Sequence, residues 1–214
     1  VMGTARIGGR AVDLVMYDYT VYGGTQSAVN HVKITRMFEH ALRHRLPVVL
    51  WLEGGGARTH DMLVTARGST PTFVVFARLS GRVPTIGIVP TRAFAGHANL
   101  AGMCDLLIAV GARFDDRITG DTSKFAPHAK IVHIDIDASE HHKNKRVLHP
   151  IVSDVKVALS RLNALAAAAK FKAPNTSEWH AQVAAWKKEH PFRWDKSKHI
   201  VPQEAVATLY ELTK

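Results

Sequence analysis

Four short segments of this 214-residue chain could do chemistry, and each follows a short apolar run. Two of them, Glu53-Gly54-Gly55-Gly56-Ala57-Arg58 and Phe94-Ala95-Gly96-His97-Ala98, are dominated by small residues. Small residues after a strand let the backbone approach a ligand and aim its N–H groups at it. A pair of such donors can hold an enolate or tetrahedral oxyanion, worth about 3 kcal/mol in a dry site. The competing reading is a tight turn with close helix–strand packing. The other two segments are Gly111-Ala112-Arg113-Phe114-Asp115-Asp116-Arg117 and His133-Ile134-Asp135-Ile136-Asp137. A Gly followed by a basic side chain suits a phosphate or an isoalloxazine edge. An acid ending the next strand suits a ribose hydroxyl, as in dinucleotide-binding folds. Here the competing reading is a surface ion cluster of Asp115, Asp116, Arg117 and Asp121.

The elements that must position these segments alternate along the chain. Residues 6–19 read as a hairpin about Ile7-Gly8-Gly9-Arg10, and residues 26–43 carry apolar positions at helical spacing. Residues 47–52, 85–90, 106–110 and 131–136 read as buried strands, with a shorter one at 151–152. Residues 73–79 and 155–170 read as helices, the latter with Ser153 and Asp154 at its N-terminal cap. A linker is expected at 171–177, an amphipathic helix at 178–190 stopped by Pro191, and a last helix from Pro202. Strands alternating with helices predict an α/β fold with mostly parallel pairing.

Composition bounds the function. No apolar run approaches the roughly 18 residues of a membrane span, and the expected compartment is the cytoplasm. Cys104 is the only cysteine, which excludes an internal disulfide and a thiolate metal cluster. The net charge of +10 attracts anions such as nucleotides. It forms no dense Lys/Arg run, so nucleic acid is not an expected partner. His133, His141, His142 and His149 could suggest a metal site, but no ligand spacing supports one and none is expected. The opening Val1 reads as a start inside a longer frame or a trimmed end.

Gly3 to Arg10, Val21-Tyr22-Gly23-Gly24-Thr25, Glu53 to Arg58 and Phe94 to Ala98 occur together in a family order and spacing. Residues 1–104 thereby resemble the crotonase-like N-terminal half of the carboxyltransferase subunit of biotin-dependent acyl-CoA carboxylases. The resemblance implies that backbone N–H groups of Gly55, Gly56 and Ala57, with those of Gly96 and His97, stabilise enolate oxygens of acyl-CoA or biotin. The family sets two such halves face to face across a subunit interface, and the second half is missing here.

The run from Asp105 to Gly120, Lys124-Phe125-Ala126-Pro127, residues 129–137, Lys143-Asn144-Lys145 and Ser153-Asp154-Val155 point elsewhere. Residues 105–170 are similar to the central domain of acetolactate synthase, a thiamine diphosphate enzyme of branched-chain amino-acid biosynthesis. Residues 171–214 are similar to its link into the next domain. That domain binds FAD in a structural role, and the positions implied are Arg113, Asp135, Ile136, Asp154 and Val155. The motifs that hold thiamine diphosphate and magnesium in the family are not in this sequence.

The chain therefore reads as a crotonase-like first half joined near Gly102–Asp105 to a Rossmann-like, doubly wound second half. Three functions follow: a nucleotide- or FAD-binding fragment without turnover alone, part of an acyl-CoA carboxyltransferase, or a chimera with no function. A homo-oligomer or missing complementary domains are the expected partners.

Overall fold

The hairpin predicted at the start forms one edge of a seven-stranded sheet in the computed structural model. The structure describes residues 1–58, 72–169, 177, 181, 184, 185, 188, 189 and 201–213. Strands β1 (Met2–Ile7) and β2 (Arg10–Met16) pair antiparallel across Gly8 and Gly9, both with positive φ. From β2 onward every neighbour is parallel: β3 (Val48–Trp51), β4 (Thr85–Val89), β5 (Leu106–Val110), β6 (Lys130–Asp135) and β7 (His149–Val152). The α/β class and mostly parallel pairing are as expected.

The strand order follows the chain from β1 to β7 without reversal. The second half therefore continues the winding of the first, and these strands form none of the order-reversal crevices of a doubly wound sheet. Nor does the ladder break near Gly102–Asp105. Strand β5, just past Asp105, pairs with β4 on one side and β6 on the other. The Asp105 carboxylate accepts hydrogen bonds from the Thr85 N–H (2.8 Å) and hydroxyl (2.9 Å), which ties the start of β5 to that of β4.

Helix α1 (Ala28–His44) begins at Ser27, whose hydroxyl accepts the Asn30 N–H while its own N–H donates to the Asn30 side chain. This reciprocal cap starts the helix cleanly. It buries Ile34, Phe38 and Ala41 against the sheet, and the Phe38 ring lies 4.7 Å from Phe76 of α2 (Thr72–Ala77). Helix α3 (Gly96–Gly102) links β4 to β5, and the four-residue α4 (Asp116–Thr119) follows β5.

One core runs from Val15 through Leu50, Leu100 and Leu107 to Ile131 and Val147, on both sides of Asp105. Helix α5 (Val155–Ala168) packs Ala158 and Val155 on a second cluster with Val110 and Ile134. Its Leu159, Leu162 and Leu165 are exposed. These leucines are thus not core residues of the described structure.

The chain divides into two compact units, Val1–Ala173 and Pro174–Lys214. In the second, α6 (Pro202–Leu212) has Pro202 in its first turn, as expected. The linker at 171–177 and the segment 178–190 lie almost wholly outside the described residues. No helix among the described residues is long and apolar enough to cross a membrane.

Candidate functional site

All the candidate segments emerge at the carboxyl ends of parallel strands, the edge where open α/β sheets bind ligands. The loops after β3 and β4 are tied together. The Gly54 N–H donates to the Arg92 carbonyl (3.1 Å), and the Phe94 N–H returns to the Gly54 carbonyl (3.2 Å). Gly56, at φ +102°, brings its α-carbon against the Ala95 methyl; a Cβ there would stand 3.6 Å away. Ala95 itself holds φ 49° and ψ −119°, a region that costs a residue with a side chain. That turn swings the chain directly into α3.

The five predicted N–H donors separate into two groups. The Gly55 N–H donates to the Gly23 carbonyl (2.9 Å) and the His97 N–H to the Phe94 carbonyl (3.2 Å), so both are spent inside the protein. Among the described residues, the N–H groups of Gly56, Ala57 and Gly96 have no backbone acceptor. The loop pair thus retains backbone donors on both sides.

The His97 side chain, which the sequence reading left without a role, is fully buried. Its ring meets Tyr17 edge-on with centroids 4.3 Å apart. Neither ring nitrogen has a partner at hydrogen-bond geometry, although the carbonyls of Phe94 and Gly24 lie near enough to favour the protonated form. Burial outweighs them and lowers its pKa to about 4, so the imidazole is neutral at pH 7. Tyr17 and Gln26 are buried beside it, and burial raises the Tyr17 phenol well above its usual range.

The second pair of loops makes a cleft of about 410 Å³ across the ends of β4, β5 and β6. Its lining includes Arg92 and Phe94 from the first half, and Gly111, Arg113, Asp135 and Glu140 from the second. Gly111, at φ +61°, donates its N–H to the Ile134 carbonyl (2.7 Å). Arg113 reaches Asp115 at 3.6 Å. Asp135 accepts the Asp137 N–H (2.9 Å), and its other oxygen lies 3.9 Å from Nε2 of buried His133. Hydrogen bonds from Ser139 hold the exposed Asp137 carboxyl below the usual range.

Of the five positions expected to bind a cofactor, the cleft brings together Arg113 and Asp135. Ile136 is exposed beyond them. Asp154 caps α5 by accepting the Val157 N–H (3.2 Å), and Val155 packs beneath Gly111. Of the expected ion cluster, Asp121 pairs with Lys124 at 3.4 Å and lines a different cavity, and the side chains of Asp116 and Arg117 lie outside what the structure describes. The rings of His133 and His141 pack edge-on at 4.7 Å, and no group of three or more metal-ligating residues occurs among the described residues.

Sequence reasoning passed over Thr91 and Arg92, and took Phe94 only as the start of the loop segment after β4. Their position just past β4 is the signal that could have found them, since ligand-facing groups gather at strand carboxyl ends. The cleft can offer guanidinium groups to a phosphate, a carboxylate to a hydroxyl pair, and a Gly backbone that a ligand can approach closely.

A family model described as the central domain of thiamine pyrophosphate enzymes matches residues 84–162. The match starts at β4 and so extends to both sides of residues 102–105. Acetolactate synthase 1 of Oryza sativa subsp. japonica, a chloroplast protein, is 38% identical over 194 residues, covering 84% of this chain and 30% of that protein. The acetolactate synthase large subunit of Corynebacterium glutamicum is 44% identical over 107 residues, covering 49% and 17%. This chain therefore spans about a third or less of these relatives. Among solved structures, the transcarboxylase 12S hexamer with methylmalonyl-coenzyme A and methylmalonic acid bound is similar in fold. Its TM-score is 0.52 at 24% identity, covering 65% of this chain and 31% of that one.

Proposed function

We propose that this chain is a nucleotide-binding segment related to acetolactate synthase, which holds FAD in a structural role and does not turn over substrate alone. The observation that carries the reading is the cleft across β4, β5 and β6, where Arg92, Arg113, Asp135 and Gly111 meet. The acetolactate synthase similarity over 84% of the chain supports it.

These residues fit the group. The positive φ of Gly111 lets a phosphate-bearing ligand approach the backbone, and Asp135 ends a strand where a ribose hydroxyl would be bound. FAD, when bound, supplies a planar ring and a pyrophosphate that tie the loops together. Against two arginines stand Asp115, Asp135, Asp137 and Glu140. That excess of acid weakens phosphate binding and favours recognition through the ribose.

Purified protein is expected to carry flavin absorbance or to acquire it on titration with FAD. Asp135→Asn should weaken binding about tenfold by removing the charged acceptor. Failure of the unsubstituted chain to bind FAD would overturn the reading. Thiamine diphosphate chemistry in the intact protein would depend on segments beyond this chain, in a homo-oligomer or with complementary domains, in the cytoplasm or an equivalent compartment.

A second reading is favoured by one observation. The N–H groups of Gly56, Ala57 and Gly96 flank a strained turn at Ala95. These donors suit an acyl-CoA enolate, with carboxybiotin as the other substrate. Carboxylation of an acyl-CoA on adding a complementary carboxyltransferase half would establish it, and its absence in that mixture would exclude it.

A further inference from the structure

Within the cleft the two arginines differ in their commitments. Arg113 sits beside Asp115 at 3.6 Å, so part of its charge is already balanced. Arg92 has no carboxylate within ion-pair distance among the described residues. Its guanidinium instead lies over the Tyr19 ring, 5.3 Å from the centroid, and donates to the Tyr19 hydroxyl at 3.4 Å. An aromatic face orients a guanidinium without neutralising it.

The wall that carries Arg92 is also braced. Thr91 donates its hydroxyl to Glu53 Oε1 (2.7 Å), and the Arg92 carbonyl accepts the Gly54 N–H (3.1 Å). The loops after β5 and β6 contribute Asp115, Asp135, Asp137 and Glu140. Among the described residues the cleft is therefore polarised, with the arginine that has no carboxylate partner there on the β4 loop and the acids on the others.

From this polarity we propose that Arg92 is the anion-anchoring residue of the cleft and binds the diphosphate of an adenine-nucleotide ligand. Asp135, on the opposite side, faces the hydroxyl-bearing part. The proposal rests on the nucleotide reading above and adds a ligand-binding residue that is not among the five positions the resemblance implies. The shared chemistry is an adenosine diphosphate moiety, present in both FAD and coenzyme A.

The test is calorimetric titration of the full chain with ADP, adenosine, FAD and coenzyme A, using the unsubstituted protein, Arg92→Ala, Arg92→Lys and Arg113→Ala. Arg92→Ala should weaken ADP about tenfold or more, the scale of losing a charged hydrogen-bond partner. Arg92→Lys should fall between, because an ammonium keeps the charge and loses the planar fork. Arg113→Ala should weaken ADP less than Arg92→Ala does. Adenosine, which lacks phosphate, should bind the unsubstituted protein and Arg92→Ala alike.

Undiminished ADP binding by Arg92→Ala would overturn the role of Arg92 alone. Equal losses of adenosine and ADP would also overturn it, by showing that the substitution damages the cleft. No binding of any nucleotide by the unsubstituted chain would overturn the nucleotide reading and this inference together. Coenzyme A binding tighter than FAD, and weakened by Arg92→Ala, would support Arg92 as the anchor while overturning FAD as the occupant.

Discussion

The imidazole of His97 lies against the α-carbon of Gly54 and leaves no room for a side chain there. A Cβ at residue 54 would stand 2.7 Å from His97 Cε1 and 2.8 Å from Nε2, and would also meet the Gly24 carbonyl. One obstacle is backbone and cannot swing aside. Gly54→Ala is therefore expected to cost about 1–3 kcal/mol, the usual range for overpacking. At this size each kcal/mol lowers the thermal midpoint by ~2–4 °C. An unchanged midpoint would show that the β3 loop has slack.

Gly96 gives a contrasting case. A Cβ there would meet the Gln26 side chain, with Cδ at 2.9 Å and Nε2 at 3.1 Å. The obstacle is the end of a side chain, and a second substitution can remove it. Gly96→Ala should destabilise the protein, and Gln26→Ala in the same molecule should restore part of the loss. A double-mutant cycle with no coupling would contradict the contact.

Stability should fall with acid in a window set by His97. Its pKa is near 4 in the folded protein against 6.5 for the free side chain. Between these values the unfolded chain binds a proton that the folded chain refuses, so stability rises with pH across the window. It is fully present above pH 6.5 and is lost as pH falls towards 4, by on the order of 3 kcal/mol. Burial displaces His31 and His133 in the same direction. His97→Gln should flatten the dependence of the urea midpoint on pH between 7 and 4; an unaltered slope would mean that His97 titrates normally.

Cys104 should be unreactive in the native state. It is buried, its thiol donates to the Leu100 carbonyl at 3.2 Å, and burial with the Asp105 charge pushes its pKa upward. Little thiolate is then present for attack on a disulfide reagent. Labelling by such a reagent should follow the rate of opening and accelerate with denaturant. Rapid labelling without denaturant would show that the end of α3 opens locally.

Parallel strands buried on both faces read as short apolar runs, which is why β3, β4, β5 and β6 are legible without a structure. Pairing between them is not local, and the unreversed order of the sheet is invisible until the strands are set side by side. Arg92 illustrates the same limit. It looks like any surface arginine after a strand, and its importance depends on Tyr19, 73 residues earlier, and on Asp135 two strands away. The loop glycines are legible as candidates for close approach. The spending of the Gly55 and His97 N–H groups depends on Gly23 and on the turn at Ala95. His97 reads as a backbone donor because nothing near it in sequence shows that its ring will be enclosed by Tyr17 and Gly54.

Phe125 tests whether the segments before and after Asp105 fold as one. Its ring stands over Gly102, where a Cβ would lie 3.0 Å from Cε2, and it belongs to the same core as Val15 and Leu50. Truncating a buried aromatic costs about 3–5 kcal/mol, through lost transfer energy and the cavity left behind. Because the core and the β4–β5 ladder are continuous, Phe125→Ala should destabilise β2 and β3 as much as β5 and β6. Hydrogen exchange should then accelerate together at Val15, Leu50, Leu107 and Ile131, the signature of one cooperative unit. Faster exchange confined to residues after Asp105, or two separate thermal transitions within the first 169 residues, would mean that the sheet is continuous in geometry and divided in energy.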